Sequence, residues 1–102
     1  MNRKIETKLN TKKAKELYKV ITLLSNEKEV ANFLRDLLTF EELDEAIRRF
    51  TVAKMLIENK TFRVIEKTTG MSSTTIARIN NWLNHGTGGY RLALKDILKD
   101  KS

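Results

Sequence analysis

Apolar residues recur every three to four positions along most of the chain, a period that predicts helices rather than strands. A first helix is expected over residues 11–24, with Leu17, Val20, Ile21 and Leu24 on one side and Lys12, Lys13, Lys15 and Lys19 on the other. A second, about 28–38, follows a cap at Ser25 or Asn26 and is expected to bury Val30, Phe33, Leu34 and Leu37. Thr39 and Glu42 have capping-box spacing and open the longest helix, about 40–58, with Leu43, Ala46, Ile47, Phe50, Ala53 and Ile57 at helical intervals. Asn59 and Lys60 break it. Two short amphipathic helices then occupy about 61–83, their buried sides supplied by Phe62, Ile65 and Met71, then by Ile76, Ile79 and Leu83. A last helix runs through Tyr90, Leu94, Ile97 and Leu98. The expected fold is all-α, with about six helices.

The pair over 61–83 has the form of a helix-turn-helix. Gly70 sits where one helix must end and the chain reverse, a place that favours positive φ, and Ser72 offers a hydroxyl cap for the next helix. In such a unit the second helix enters the DNA major groove with its N-terminal residues at the base edges. Ser73, Thr74 and Thr75 open that helix with short hydrogen-bonding side chains. Charge points the same way: from Lys60 to Arg91 there are five basic residues and one acid, Glu66, within a chain of net charge +7. The expected partner is double-stranded DNA. Thr74 and Thr75 are assigned to base edges or thymine methyls, Ser72 and Ser73 to phosphate or the cap, and Arg63 and Lys67 to the flanking backbone. Arg78, Asn80 and Asn81 are expected to add specificity. Two other classes stay open: a protein-binding adaptor or assembly module, and a nonspecific, nucleoid-like DNA binder.

Composition removes other chemistries. The absence of proline suits helices, and the absence of cysteine rules out disulfides and thiolate metal sites. A lone histidine, His85, leaves no metal or general-base constellation to name, so no metal and no enzymatic activity are expected. Apolar runs are too short to span a membrane and no hydrophobic signal segment opens the chain, so a cytoplasmic location is expected. Gly86, Gly88 and Gly89 do not meet the phosphate-loop pattern, because no strand precedes them and no Lys-Ser or Lys-Thr follows; they read as a turn. Trp82 and Tyr90 lie on apolar stripes and read as core or interface anchors. Charge is segregated along the chain. The first nineteen residues hold seven basic and two acidic side chains, whereas 27–45 hold seven acidic and two basic. Residues 1–10 are expected to form a flexible basic arm, leaving 11–102 as a single helical domain.

The string DLLTFEELDEAIRRFTVAKML, the two-helix unit and NWLNHGTGGY together resemble the Trp repressor superfamily, and more closely its YerC/YecD-like branch. The resemblance implies a bacterial repressor acting as an intertwined homodimer with a reading head at each end. It also implies a ligand question. Members that bind tryptophan hold it with two arginines, and the resemblance assigns Arg48 and Arg78 to those places, a pair suited to a small anion. At the next position Ile79 stands where a glycine leaves room for the indole, and Trp82 follows within one turn, so no tryptophan corepressor is expected. The plainer reading of Arg48 is a pair with Asp44 or Glu45, and that of Arg78 a phosphate contact.

Overall fold

The computed structural model describes residues 3–99, with side chains over 5–96; the apolar side chains expected at Ile97 and Leu98 lie outside that range, as do residues 1–2 and 100–102. Among the described residues the chain is helical throughout: α1 (Arg3–Lys8), α2 (Lys12–Thr22), α3 (Glu27–Leu37), α4 (Phe40–Ile57), α5 (Phe62–Thr69), α6 (Ser73–His85) and α7 (Gly89–Lys99). The helix beyond the expected six is α1, a short segment within the stretch anticipated as an arm.

Side-chain caps set most boundaries. Thr11 accepts from the Ala14 amide, Asn26 from Glu29 and Thr61 from Val64, at 3.2, 2.9 and 3.2 Å. Thr39 and Glu42 cap each other: the Thr39 amide donates to Glu42 Oε1 at 2.9 Å and the Glu42 amide to Thr39 Oγ1 at 3.1 Å. Those bonds from Thr39 hold the Glu42 carboxyl below its ordinary pKa of 4.5. A depressed carboxylate stabilises the fold above its unfolded pKa, and that contribution is lost as pH falls through the lowered native value. At the other end of α4, Asn59 adopts φ 63°. The Lys60 amide then reaches Met55 O and the Asn59 amide Leu56 O, each at 3.0 Å, the paired bonds of a Schellman motif.

The chain divides into two compact units, Met1–Leu43 and Asp44–Ser102. In the first, α2 and α3 contain no buried residue. Val30, Phe33 and Leu34 are half-buried and Leu37 is exposed, so the burial expected for this stripe is incomplete within the chain. Helical periodicity shows which face is apolar; burial needs something to cover it. The second unit holds the core: Val52 and Ala53 of α4, Ile65 of α5, Met71 of the turn, Ile76 and Ile79 of α6, and Leu94 of α7, with Met55, Leu56, Ile57 and Tyr90 packed against it. Along α4 the buried residues are Val52 and Ala53, while Ala46, Ile47 and Phe50 of the expected stripe are exposed. Phe62 is likewise on the exposed side of the boundary.

Two glycines are required by the backbone. Gly70 has φ 72°, and an added Cβ would meet only Arg48 Nη1 at 3.7 Å, an ordinary contact, so its cost is conformational. At Gly86 an added Cβ would lie 2.4 Å from Trp82 O and 3.0 Å from Trp82 Cε3, so the last turn of α6 would have to move. Gly70→Ala is expected to lower stability by about 1 kcal/mol and Gly86→Ala by at least as much, as measured by urea denaturation.

Candidate nucleic-acid interface

The turn between α5 and α6 is built from three residues. The Gly70 amide closes α5 on Glu66 O at 2.8 Å. Thr69, buried and polar, donates its hydroxyl to Ile65 O at 2.8 Å and accepts the Met71 amide at 3.2 Å, which satisfies a donor the turn would otherwise bury unpaired. Met71 then enters the core. Ser72 starts α6: its Oγ accepts from the Thr75 amide at 3.2 Å and donates to Thr75 Oγ1 at 3.1 Å.

Burial fixes the rotation of α6. Ile76, Ile79 and Leu83 are buried, at i, i+3 and i+7. At about 100° per residue the opposite side belongs to Thr74, Arg78 and Asn81. These three, with Ala77 and Trp82, form one continuous open surface along α6. Thr75 lies to the flank, half-buried and engaged with Ser72. Ser73 is exposed at the first turn. Asn80 is half-buried, and the Asn84 side chain donates from Nδ2 to its backbone carbonyl at 3.0 Å. On α5, Arg63 and Lys67 are four residues apart and exposed, away from the buried Ile65 and Thr69. Arg63, Lys67 and Arg78 form no ion pair among the described residues, so their charges face solvent unneutralised.

The two neighbouring arginines of α4 do different things. Arg48 donates to Asp44 Oδ2 from Nε at 3.1 Å and from Nη2 at 2.8 Å, the plainer of the two roles expected for it. Arg49 stands 3.8 Å from Glu45 and lines a cleft of about 420 Å³ with Trp82, Thr87, Gly88 and Tyr90. Arg49 shares a concave surface with Trp82 and Leu83 of α6, Arg48 places Nη1 beside Gly70 of the α5–α6 turn, and Arg78 lies on the outer face of α6. Trp82 contributes to both surfaces and is 45% exposed, so it is not a core anchor, whereas Tyr90 does pack on the core. Arg91 of α7 holds the end of α6, donating to Leu83 O at 3.2 Å and Asn84 Oδ1 at 2.9 Å.

A polar, cationic face on a helix locked from behind by its aliphatic side, and preceded by a glycine-turned partner helix, defines a DNA-binding helix-turn-helix protein. The chain belongs to the Trp repressor family: the profile described as Trp repressor protein matches residues 12–98. It is 38% identical over 90 residues to the uncharacterized protein YerC of Bacillus subtilis (strain 168), covering 88% of this chain and 86% of that protein, which places it in the YerC-like branch. The crystal structure of a TrpR-like protein from Eubacterium eligens ATCC 27750 superposes with a TM-score of 0.84 at 36% identity, over 89% of this chain and 94% of that one. A Trp repressor candidate from Staphylococcus aureus gives 0.83 at 33% identity, over 89% and 91%.

The geometry separates the hydroxyls of this helix by role. Ser72→Ala removes the cap and is expected to cost about 1 kcal/mol of stability, whereas Ser73→Ala and Thr74→Ala, at exposed positions, are expected to stay within about 0.5 kcal/mol of the parent in denaturant titration.

Proposed function

We propose that this chain is a bacterial, cytoplasmic transcriptional repressor that binds a specific DNA sequence as a homodimer, with α6 in the major groove. The observation that carries the reading is the division of α6 into a buried side, Ile76, Ile79 and Leu83, and an outward side, Thr74, Arg78 and Asn81. The outward residues match what base edges offer: a guanidinium for guanine O6 and N7, a carboxamide for adenine N6 and N7, and a threonine methyl for the thymine methyl. Ala77 between them keeps the helix surface low enough for close approach. Arg63 and Lys67 supply phosphate contacts that fix register, and Ser73 at the helix start is placed to do the same.

The dimer is supported by the first unit, where Val20, Ile21, Leu23, Leu37 and Phe40 are exposed within the single chain. Covering such surface with a second copy is a common route to stability for short helices. A two-fold protein reads a near-palindrome with half-sites about 34–36 Å apart.

Selection of bound fragments from a genomic library, followed by titration of the best one at two salt concentrations, tests this reading. Enrichment of a near-palindromic site, with affinity that falls as salt rises, is the expected result. Affinity indifferent to salt, or equal for selected and random duplex, would favour the adaptor or the nucleoid-like alternative. Arg78→Ala is expected to weaken the selected site by about 1–3 kcal/mol, while Arg63→Ala with Lys67→Ala weakens selected and random DNA alike.

No tryptophan corepressor is proposed. Ile79 is enclosed in the core with Ile76, filling the space beside Arg78 on the inner side of α6. A small anionic effector would meet Arg48 or Arg78, with Arg49 of the cleft beside Trp82 as a further cation. Titration calorimetry with millimolar tryptophan is expected to show no binding; a dissociation constant in the micromolar range would show that Ile79 does not block the indole.

A further inference from the structure

We propose that the lysine face of α2 is a second DNA-backbone contact surface, separate from the helix-turn-helix. The inference rests on the DNA-binding reading above and extends it to a part of the chain that reading does not use. Lys12, Lys15 and Lys19 stand three and four residues apart on the side of α2 away from Leu17 and Ile21, whereas Lys13, expected on that side, falls between Val20 and Leu17 because it is a further 100° round the helix. All three are exposed and none forms an ion pair among the described residues. Along the axis they are separated by about 4.5 and 6 Å, at 1.5 Å per residue. That row is commensurate with a polyanion carrying charge every few ångströms along its length.

The face is held in shape. The Tyr18 hydroxyl donates to Leu9 O at 2.7 Å and ties the connection between α1 and α2 to the middle of α2, while Thr11 caps its start. Lys8 lies in the last turn of α1. Lys15 and Lys19, like charges one turn apart, repel each other, and Glu16, the single acid on α2, stands four residues after Lys12 and three before Lys19, so it offsets part of the repulsion and leaves the face net positive. A solvated surface needs no such segregation, because mixed signs hydrate as well. An anion lying along the row relieves the repulsion, and of the candidate anions duplex DNA is the one whose charge density and extent fit a straight row of lysines. α3 and the start of α4, by contrast, carry Glu27, Glu29, Asp36, Glu41 and Glu42 against Lys28 and Arg35, so acids outnumber bases there and bases outnumber acids on α2.

The test replaces Lys12, Lys15 and Lys19 by Gln in the full chain, since Gln keeps helix propensity and removes charge. Affinity for the selected duplex is measured against salt concentration. The slope of log affinity against log salt is expected to become shallower by about 2 to 3 for each bound chain, at roughly 0.9 per phosphate contact. A Lys→Arg triple variant should keep the parent slope, and circular dichroism confirms that both variants remain helical. An unchanged slope in a folded Gln variant overturns the proposal. So does an unchanged DNA slope accompanied by lost binding to phosphatidylserine vesicles, which would assign the face to a lipid surface. If the parent chain itself shows no salt-dependent duplex binding, the DNA-binding reading fails first, and the two failures are thereby told apart.

Discussion

The rotation of α6 about its own axis is the constraint on which the reading surface depends. Ile76, Ile79 and Leu83 are all buried, and each aliphatic side chain taken out of water contributes about 1.5–3 kcal/mol. Turning the helix by one residue, about 100°, would expose most of that surface and gain nothing for the hydroxyls and amides it brought inward, which would then need partners. The apolar side therefore decides the matter, and the polar side follows from it. Thr74, Arg78 and Asn81 point outward without a single specific interaction holding them there; they are outward because Ile76, Ile79 and Leu83 are inward.

A helix fixed in rotation must also be fixed along its axis and at both ends. At the start, Gly70 takes the positive φ that lets α5 stop, and the buried Thr69 hydroxyl collects the amide of Met71 before that side chain enters the core. Ser72 then caps α6 one residue later. At the end, Gly86 leaves space against Trp82 that no side chain could share, and Arg91 binds the last carbonyls from α7. The outer face of α6 is left with little internal hydrogen bonding because the turn, the cap and Arg91 have already satisfied its ends.

Much of this is legible in the sequence because it is local. Capping residues at Asn26, Thr39 and Ser72 act across three positions, and the turn glycine acts on its own φ, so residue type and spacing are enough to find them. The buried side of α6 is legible for the same reason. What is less legible depends on rotation or on distant partners. Arg48 and Arg49 are adjacent in sequence but about 100° apart on α4, and their different surroundings, Asp44 and Gly70 for Arg48 and the cleft beside Trp82 for Arg49, come from partners that spacing alone does not name. Trp82 carries an apolar ring at a helical interval and reads as a core or interface anchor, and within the chain it is not in the core but on the flank of α6. Thr75 reads as a base contact by type and position, and its engagement with Ser72 is visible only once the cap geometry is known. The short α1 is hidden by its charge, since lysine-rich segments with few apolar residues carry little periodicity.

The two units divide the work of the chain along the same physical line. The second encloses its own core, so the position of every candidate base contact is set by side chains within Asp44–Ser102. The first has apolar stripes on α2 and α3 that stay open or half-open within the chain, and exposed lysines on α2. Apolar stripe and lysine row occupy opposite sides of α2, which lets one helix meet an apolar partner and a polyanion at once without either contact displacing the other. On the proposed reading, self-association and backbone contact would be additive rather than competing demands on α2, and base reading would be left to α6.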